Sequence, residues 1–244
     1  MLKIEDIISK REIEELKNTG KYTKKNINKI LKQYPSQYII GYVNFYGNKI
    51  KVNKNVLIPR YETETLTYKT INYIKQKYKN KKIKILDLCT GSGCIAITLK
   101  KEIKNSDIVA SDISNKAIKV AKENAKINNI KIKVVKSDLF KNINENNFDV
   151  IIANPPYVPS NEKITKIVKH EPKKALFSGK YGTKHITKIL KEYNKFLKKD
   201  GFIAIEIHET QKEMLEEKLT KLNLKYSFEK DLAEKIRYLF IFNE

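Results

Sequence analysis

Apolar residues recur at two different periods along the chain, and the change from one to the other divides it. From Ile83 onward, short apolar runs alternate with stretches of helical period. The pattern predicts strands at 83–88, 108–111, 131–136, 148–153 and 202–207, and helices at about 94–103, 115–128, 184–198 and 210–222. Such alternation specifies an α/β fold with a doubly wound, mostly parallel sheet. Two last strands, about 224–230 and 237–242, are joined too closely for a crossover. They predict an antiparallel C-terminal hairpin at the edge of a seven-stranded sheet.

Ahead of Ile83 the pattern is weaker. Ile4, Ile7, Ile8, Ile13 and Leu16, then Ile27, Ile30 and Leu31, fall at helical spacing. Tyr38 to Val43 and Val52 to Ile58 read as strands, with Gly47-Asn48 as the turn between Phe45-Tyr46 and Lys49-Ile50. Pro59 ends that ribbon, and Thr63 to Tyr78 reads as a helix leading to the lysine-rich stretch before Ile83. Three segments follow: a short helical extension over 1–34, a β-ribbon with its connecting helix over 35–80, and the doubly wound domain over 81–244.

Composition adds bounds. With 244 residues, 41% of them hydrophobic, the chain can bury a substantial core. No apolar run approaches the roughly 20 residues of a membrane span, and the start has no secretory core, so a soluble, cytoplasmic protein is expected, as a monomer. Cys89 and Cys94 flank a glycine turn, and with His170, His185 and His208 scattered they make no convincing metal site. The net charge of +22 attracts phosphate, which allows non-specific proximity to nucleic acid or the ribosome. Of the basic residues, however, all but Arg11, Arg60 and Arg237 are lysine, and the joint excess of lysine, asparagine and isoleucine fits compositional drift.

The candidate chemistry lies at the ends of the predicted strands. Asn154-Pro155-Pro156-Tyr157 follows the apolar run 148–153 directly. Neither proline can donate a backbone hydrogen bond, and Pro155 holds Asn154 extended, so the chain leaves the strand as neither sheet nor helix. The Asn154 side-chain oxygen and the Pro155 carbonyl are then fixed acceptors suited to a planar NH2 group, with Tyr157 available to stack on it. Upstream, Gly91-Ser-Gly93-Cys-Ile-Ala96 follows a strand in the manner of a nucleotide-binding turn. Asp112, at the next strand end, suits ribose hydroxyls. Asp87 opposes a pyrophosphate and favours the ammonium and sulfonium of S-adenosylmethionine. Asp138, with Leu139, ends the third strand at the same edge and suits an adenine ring.

Several segments together resemble the protein-(glutamine-N5) methyltransferases that modify the Gly-Gly-Gln loop of peptide-chain release factors. They are Pro35-Ser-Gln-Tyr-Ile-Ile-Gly41, Leu57-Ile-Pro-Arg-Tyr-Glu-Thr-Glu64, Asp87-Leu-Cys-Thr-Gly-Ser-Gly-Cys94, Ser111-Asp-Ile-Ser114, Ser137-Asp-Leu-Phe140, Asn154-Pro-Pro-Tyr157, His170-Glu-Pro-Lys-Lys-Ala-Leu176, and Asp231-Leu-Ala233 with Arg237. The resemblance implies a Rossmann-like class I methyltransferase domain. It implies S-adenosylmethionine, leaving as S-adenosylhomocysteine, held by Asp87, Cys89, Thr90, Gly91, Ser92, Gly93, Asp112, Asp138, Leu139 and Asn154. It also implies a release-factor glutamine bound by Asn154 to Tyr157, with Arg60 and Glu62 bordering the cleft. Arg60 and Glu62 suit a salt bridge within their loop equally well. Cys89 stands where the family has glycine, a change compatible with a backbone that needs no positive φ. Ser178 replaces the first glycine of a pair, His208 follows Glu206-Ile207 where the family has glycine, and the stretch before Pro35 is shorter than the family's helical N-terminal domain. The alternative is an amino methyltransferase acting on adenine or guanine, which usually carries a recognition domain for the flipped base; no inserted segment here is long enough for one.

Overall fold

The computed structural model describes residues 3–243; Met1, Leu2 and Glu244, which fall in the first and last predicted segments, lie outside it. After a single 3-10 turn at Ile4–Asp6 come α1 (Lys10–Asn18), α2 (Lys24–Leu31) and α3 (Ser36–Ile40). A reciprocal cap starts α1: Ser9 Oγ accepts from the Glu12 N–H while the Glu12 carboxylate accepts from the Ser9 N–H. Ile4, Ile13, Leu16, Ile30 and Ile40 close a small core of their own.

Next come β1 (Tyr42–Phe45) and β2 (Asn48–Lys51), and here three expectations are corrected. The predicted strand 38–43 is helix as far as Ile40. Pro35 at the N-cap sets φ at −58°, and Gly41 at +91° ends α3 and releases the chain into β1. The turn is Tyr46-Gly47, one residue earlier than predicted, and both residues take the positive φ of a two-residue hairpin turn, +49° and +73°. Val52 to Ile58 forms no strand. Val52, Val56 and Ile58 are apolar because they are buried against other elements.

The chain continues through α4 (Tyr61–Tyr78), β3 (Ile83–Leu88), α5 (Cys94–Glu102), β4 (Ser106–Asp112), α6 (Asn115–Ile127), β5 (Lys133–Lys136) and β6 (Phe148–Ala153). It ends with α7 (Lys173–Leu176), α8 (Lys184–Glu192), β7 (Leu197–Glu206), α9 (Lys212–Lys221), β8 (Lys225–Lys230) and β9 (Ile236–Phe242). The sheet order is β5-β4-β3-β6-β7-β9-β8, parallel from β5 to β7 and antiparallel at β9 and β8. The hairpin is therefore as predicted, with β9 laid inside and only β8 exposed as an edge.

Every residue of β6 is buried, as a strand covered on both faces requires. One face packs under α4, α5 and α6, with Leu66, Ile97 and Val120 against Ile85, Val150 and Phe202. The other packs under α8 and α9, with Ile186, Ile189 and Leu215 against Leu86, Ile151 and Ile203. Phe45, Ile50 and Val52 of the ribbon segment join the first of these cores, so apolar packing is continuous across residue 80. Among the described residues no helix is long and apolar enough to cross a membrane.

Candidate active site

Four adjacent strands present their carboxyl ends side by side, in the spatial order β5, β4, β3, β6. Asp138, Asp112, Asp87 and Asn154 therefore stand in a row at one edge. Chain direction along the sheet reverses between β3 and β6, and ligands of open α/β sheets bind at such a switch point. Asp87 and Asn154 flank it. A cavity of about 600 Å³ opens there, lined among others by Cys89 to Ser92, Asp112, Asp138, Leu139, Asn154 and Pro156. That volume suits a nucleoside-sized ligand.

The loop after β3 has the shape such a ligand needs. Gly91 has φ +54°, and a Cβ there would meet nothing nearer than the Cys89 carbonyl oxygen at 3.9 Å, so it would occupy the cavity. Gly93, φ +83°, caps α5 within 3.2 Å of where a Cβ would meet Ala121, which closes the helix onto its neighbour. Cys89 has φ +60°, contrary to the expectation for that position, and a side chain held there stores roughly 1–2 kcal/mol of backbone strain. Leu139 is likewise left-handed, φ +52°, and Ser137 fixes it by donating its hydroxyl to the Leu139 carbonyl at 2.6 Å.

Asp87 decides between ligands. Its Oδ2 accepts from the Thr90 hydroxyl at 2.5 Å and from the Ala96 N–H at 3.2 Å, so a carboxylate already occupies the N-terminus of α5. A dinucleotide would place its pyrophosphate at that helix end. Oδ1 is buried without any partner among the described residues. Burial, opposed by the Thr90 and Ala96 hydrogen bonds, pushes the Asp87 carboxyl up to about 7. A free, desolvated carboxylate oxygen fits a cationic donor group. Asp112 accepts from the Gly91 N–H at 3.0 Å and the Ser114 N–H at 2.8 Å, which ties the β4 end to the glycine turn. Desolvation raises its pKa as well. Asp138 is held below the ordinary range by its bond with Lys141, at 2.8 Å.

Asn154 donates Nδ2 to Thr63 Oγ1 at 2.9 Å, while its Oδ1 and the Pro155 carbonyl accept no hydrogen bond from the described residues. Tyr157 lies off the cavity wall. Its hydroxyl donates to Glu206 Oε1 at 3.1 Å, its ring tilts against His208, and its carbonyl accepts from Gln211 Nε2 at 3.0 Å. Gly182, φ +70°, passes beneath, where a Cβ would fall 2.1 Å from that same carbonyl. Pro155 is buried, and like Asp87 and Gly93 it does not line the cavity.

Arg60 and Glu62 are also off the wall of this cavity. The Arg60 guanidinium pairs with the buried carboxylate of Glu171, whose other oxygen accepts the Ile58 N–H at 2.9 Å. The salt bridge within the loop is not formed: Arg60 pairs with Glu171 instead of Glu62, and this pair joins the segment 57–64 to the segment 170–176. Glu62 gives its carbonyl to the Tyr238 hydroxyl at 2.9 Å and borders a second groove beside α1. Thr63, Lys54, Lys173, Lys174 and His185 line the cavity without having been singled out. Thr63 could have been found, since it lies inside a quoted motif; His185, bonded through Nδ1 to Ser178 Oγ at 2.7 Å, gave no sequence signal.

The methyltransferase small domain family matches residues 70–230. The chain is 42% identical over 217 residues to the release factor glutamine methyltransferase of Thermodesulfovibrio yellowstonii, covering 86% of this chain and 77% of that one. It is 38% identical over 186 residues to the protein of the same name from Bacillus cereus, covering 74% and 66%. A methyltransferase structure from Pyrococcus furiosus superposes with a TM-score of 0.61 at 22% identity, over 81% of this chain and 90% of that one, a likeness of fold. With its acidic strand ends, its glycine turn and these relatives, the chain belongs to the release factor glutamine methyltransferase family.

Proposed function

We propose that the protein methylates the side-chain amide nitrogen of the glutamine in the Gly-Gly-Gln loop of peptide-chain release factors. S-adenosylmethionine, which the methyltransferase family uses, supplies an electrophilic methyl group on a sulfonium. The single observation that carries the reading is at the switch point: among the described residues a buried Asp87 oxygen on β3 has no partner, and Asn154 Oδ1 and the Pro155 carbonyl, just past the end of the adjacent β6, accept no hydrogen bond.

Asp87 Oδ1 holds the cationic donor, Asp112 the ribose hydroxyls, and Leu139 flanks the base. Asn154 and Pro155 each accept one N–H of the substrate amide. That fixes the nitrogen and favours the pyramidal geometry it takes on at attack, a stabilisation of the transition state rather than of the bound substrate. Both protons stay on the nitrogen, held by hydrogen bonds to these two acceptors, until methylation makes it acidic and one is released to water, so no strong base is needed. Tyr157, anchored through its hydroxyl, sets the loop's position and helps exclude water. The Arg60–Glu171 pair holds two segments that border the cavity, 57–59 and 172–175, in register.

Incubation of the protein with S-adenosylmethionine and a release factor tests this, with Asn154→Ala in parallel. Wild type is expected to methylate the factor; Asn154→Ala should keep cofactor affinity within a few-fold while turnover falls by roughly 10². An unmethylated factor overturns the reading, and equal losses of affinity and turnover would assign Asn154 to cofactor binding instead.

A further inference from the structure

Asn154 can accept a hydrogen bond from the substrate amide only if its own amide oxygen, and not its NH2, faces the cavity, and the two ends of a carboxamide have nearly the same shape. Packing does not choose between them. A chain of hydrogen bonds behind the residue does. Asn154 Nδ2 donates to Thr63 Oγ1 at 2.9 Å, the Thr63 hydroxyl donates to Glu206 Oε2 at 2.7 Å, and the Tyr157 hydroxyl donates to Glu206 Oε1 at 3.1 Å. The polarity of every link follows from the far end. Burial raises the Glu206 carboxyl to about 7. In its ionised form it only accepts, so it claims the Thr63 hydroxyl proton; what Thr63 then turns toward Asn154 is a lone pair, and a lone pair selects the NH2.

We infer that Glu206, acting through Thr63, sets the orientation of the Asn154 side chain, which makes both of them positioning residues for methyl transfer. The inference rests on the reading that Asn154 accepts an N–H of the substrate amide. The fold brings the three together. Ala153 of β6 pairs with Ile205 of β7, so Asn154 and Glu206 leave adjacent strands at neighbouring positions, and Thr63 enters between them from the first turn of α4.

Glu206 is otherwise hard to account for. It has no exposed surface, and isolated buried carboxylates are strongly unfavourable. The nearby guanidinium of Arg237 bonds to Asp231 and to the Ile207 carbonyl rather than to Glu206. Among the described residues its hydrogen-bond partners are the two hydroxyls, one leading to Asn154 and one belonging to Tyr157. Both ends of the Asn154–Tyr157 loop are thereby held by one carboxylate.

Thr63→Val, which keeps the shape and removes the hydroxyl, is the test, with Thr63→Ser and Asn154→Ala alongside. The readouts are the single-turnover methylation rate of a release factor at saturating S-adenosylmethionine and the affinity for S-adenosylmethionine. Thr63→Val should slow the rate roughly 10-fold or more with affinity within a few-fold of wild type, and Thr63→Ser should restore it. A purely structural role would lower the melting temperature without this split or this rescue. Thr63→Ala carries the same comparison where the valine variant does not fold. A normal rate in Thr63→Val with a slow Asn154→Ala overturns the inference and leaves the clamp standing. A normal rate in Asn154→Ala overturns the clamp itself.

Discussion

Asp87 performs two tasks with its two oxygens. Oδ2 caps the turn and the start of α5, while Oδ1 stays buried and unpaired. The second task has a pH signature. Burial raises the carboxyl from 3.8 to about 7, so the folded state holds a proton that the unfolded chain has released. The associated stability is fully present below about 4 and is lost as pH rises through about 7. Asp87→Asn cannot ionise, so its melting temperature relative to wild type should increase from pH 5 to pH 8. Over the same interval the wild-type affinity for S-adenosylmethionine should rise by roughly 10- to 100-fold, because the ionised carboxylate is the form that receives a cation and its fraction grows from about 1% to about 90%, and Asp87→Asn should show a flat profile. Calorimetric titration at several pH values checks both halves. The strand-end carboxylates and Asn154 were legible in the sequence because each lies within three residues of the end of an apolar run. The roles of Thr63 and Glu206 were not, since Thr63 lies in a quoted motif but both act through contacts with residues distant in the chain.

Elements were legible where burial and pairing coincide. In β3 and β6 nearly every residue is apolar and nearly every one is paired, so the run and the strand have the same limits. At Val52 to Ile58 the two separate: Val52, Val56 and Ile58 are buried, yet the backbone runs as irregular chain along the cavity and is held at Ile58 by Glu171 from a distant segment. At residues 36–40 a proline and a glycine with five residues between them outweighed β-forming side chains. Long-range supports of this kind leave little trace in local pattern, and Gly182 is another. It follows no motif, but it has a left-handed backbone and lies against the Tyr157 carbonyl. Gly182→Ala should therefore cost about 3 kcal/mol from combined overpacking and backbone strain, and displace the loop carrying Tyr157. Chemical denaturation measures the first and the methylation rate the second; a fully stable, fully active variant would contradict the packing described.

Across the whole molecule, the topology creates the site and the surface charge does not. The switch between β3 and β6 is what sets Asp87 beside Asn154, and β7, next in the sheet, adds Glu206 behind them. The net charge of +22 is carried mainly by lysines, several of them in exposed pairs such as Lys221–Glu217 and Lys230–Glu234 that contribute little to stability. Such a surface attracts nucleic acid without selecting it, so charge alone does not separate an amide substrate from an amino group on a base. Substrate identity does, and it is measured by supplying methyl-labelled S-adenosylmethionine with a release factor, with its Gly-Gly-Gln variant carrying Gln→Ala, and with DNA or RNA. Label on the wild-type factor, absent from the Gln→Ala factor and from nucleic acid, is the predicted result; label on nucleic acid with none on the factor would contradict it.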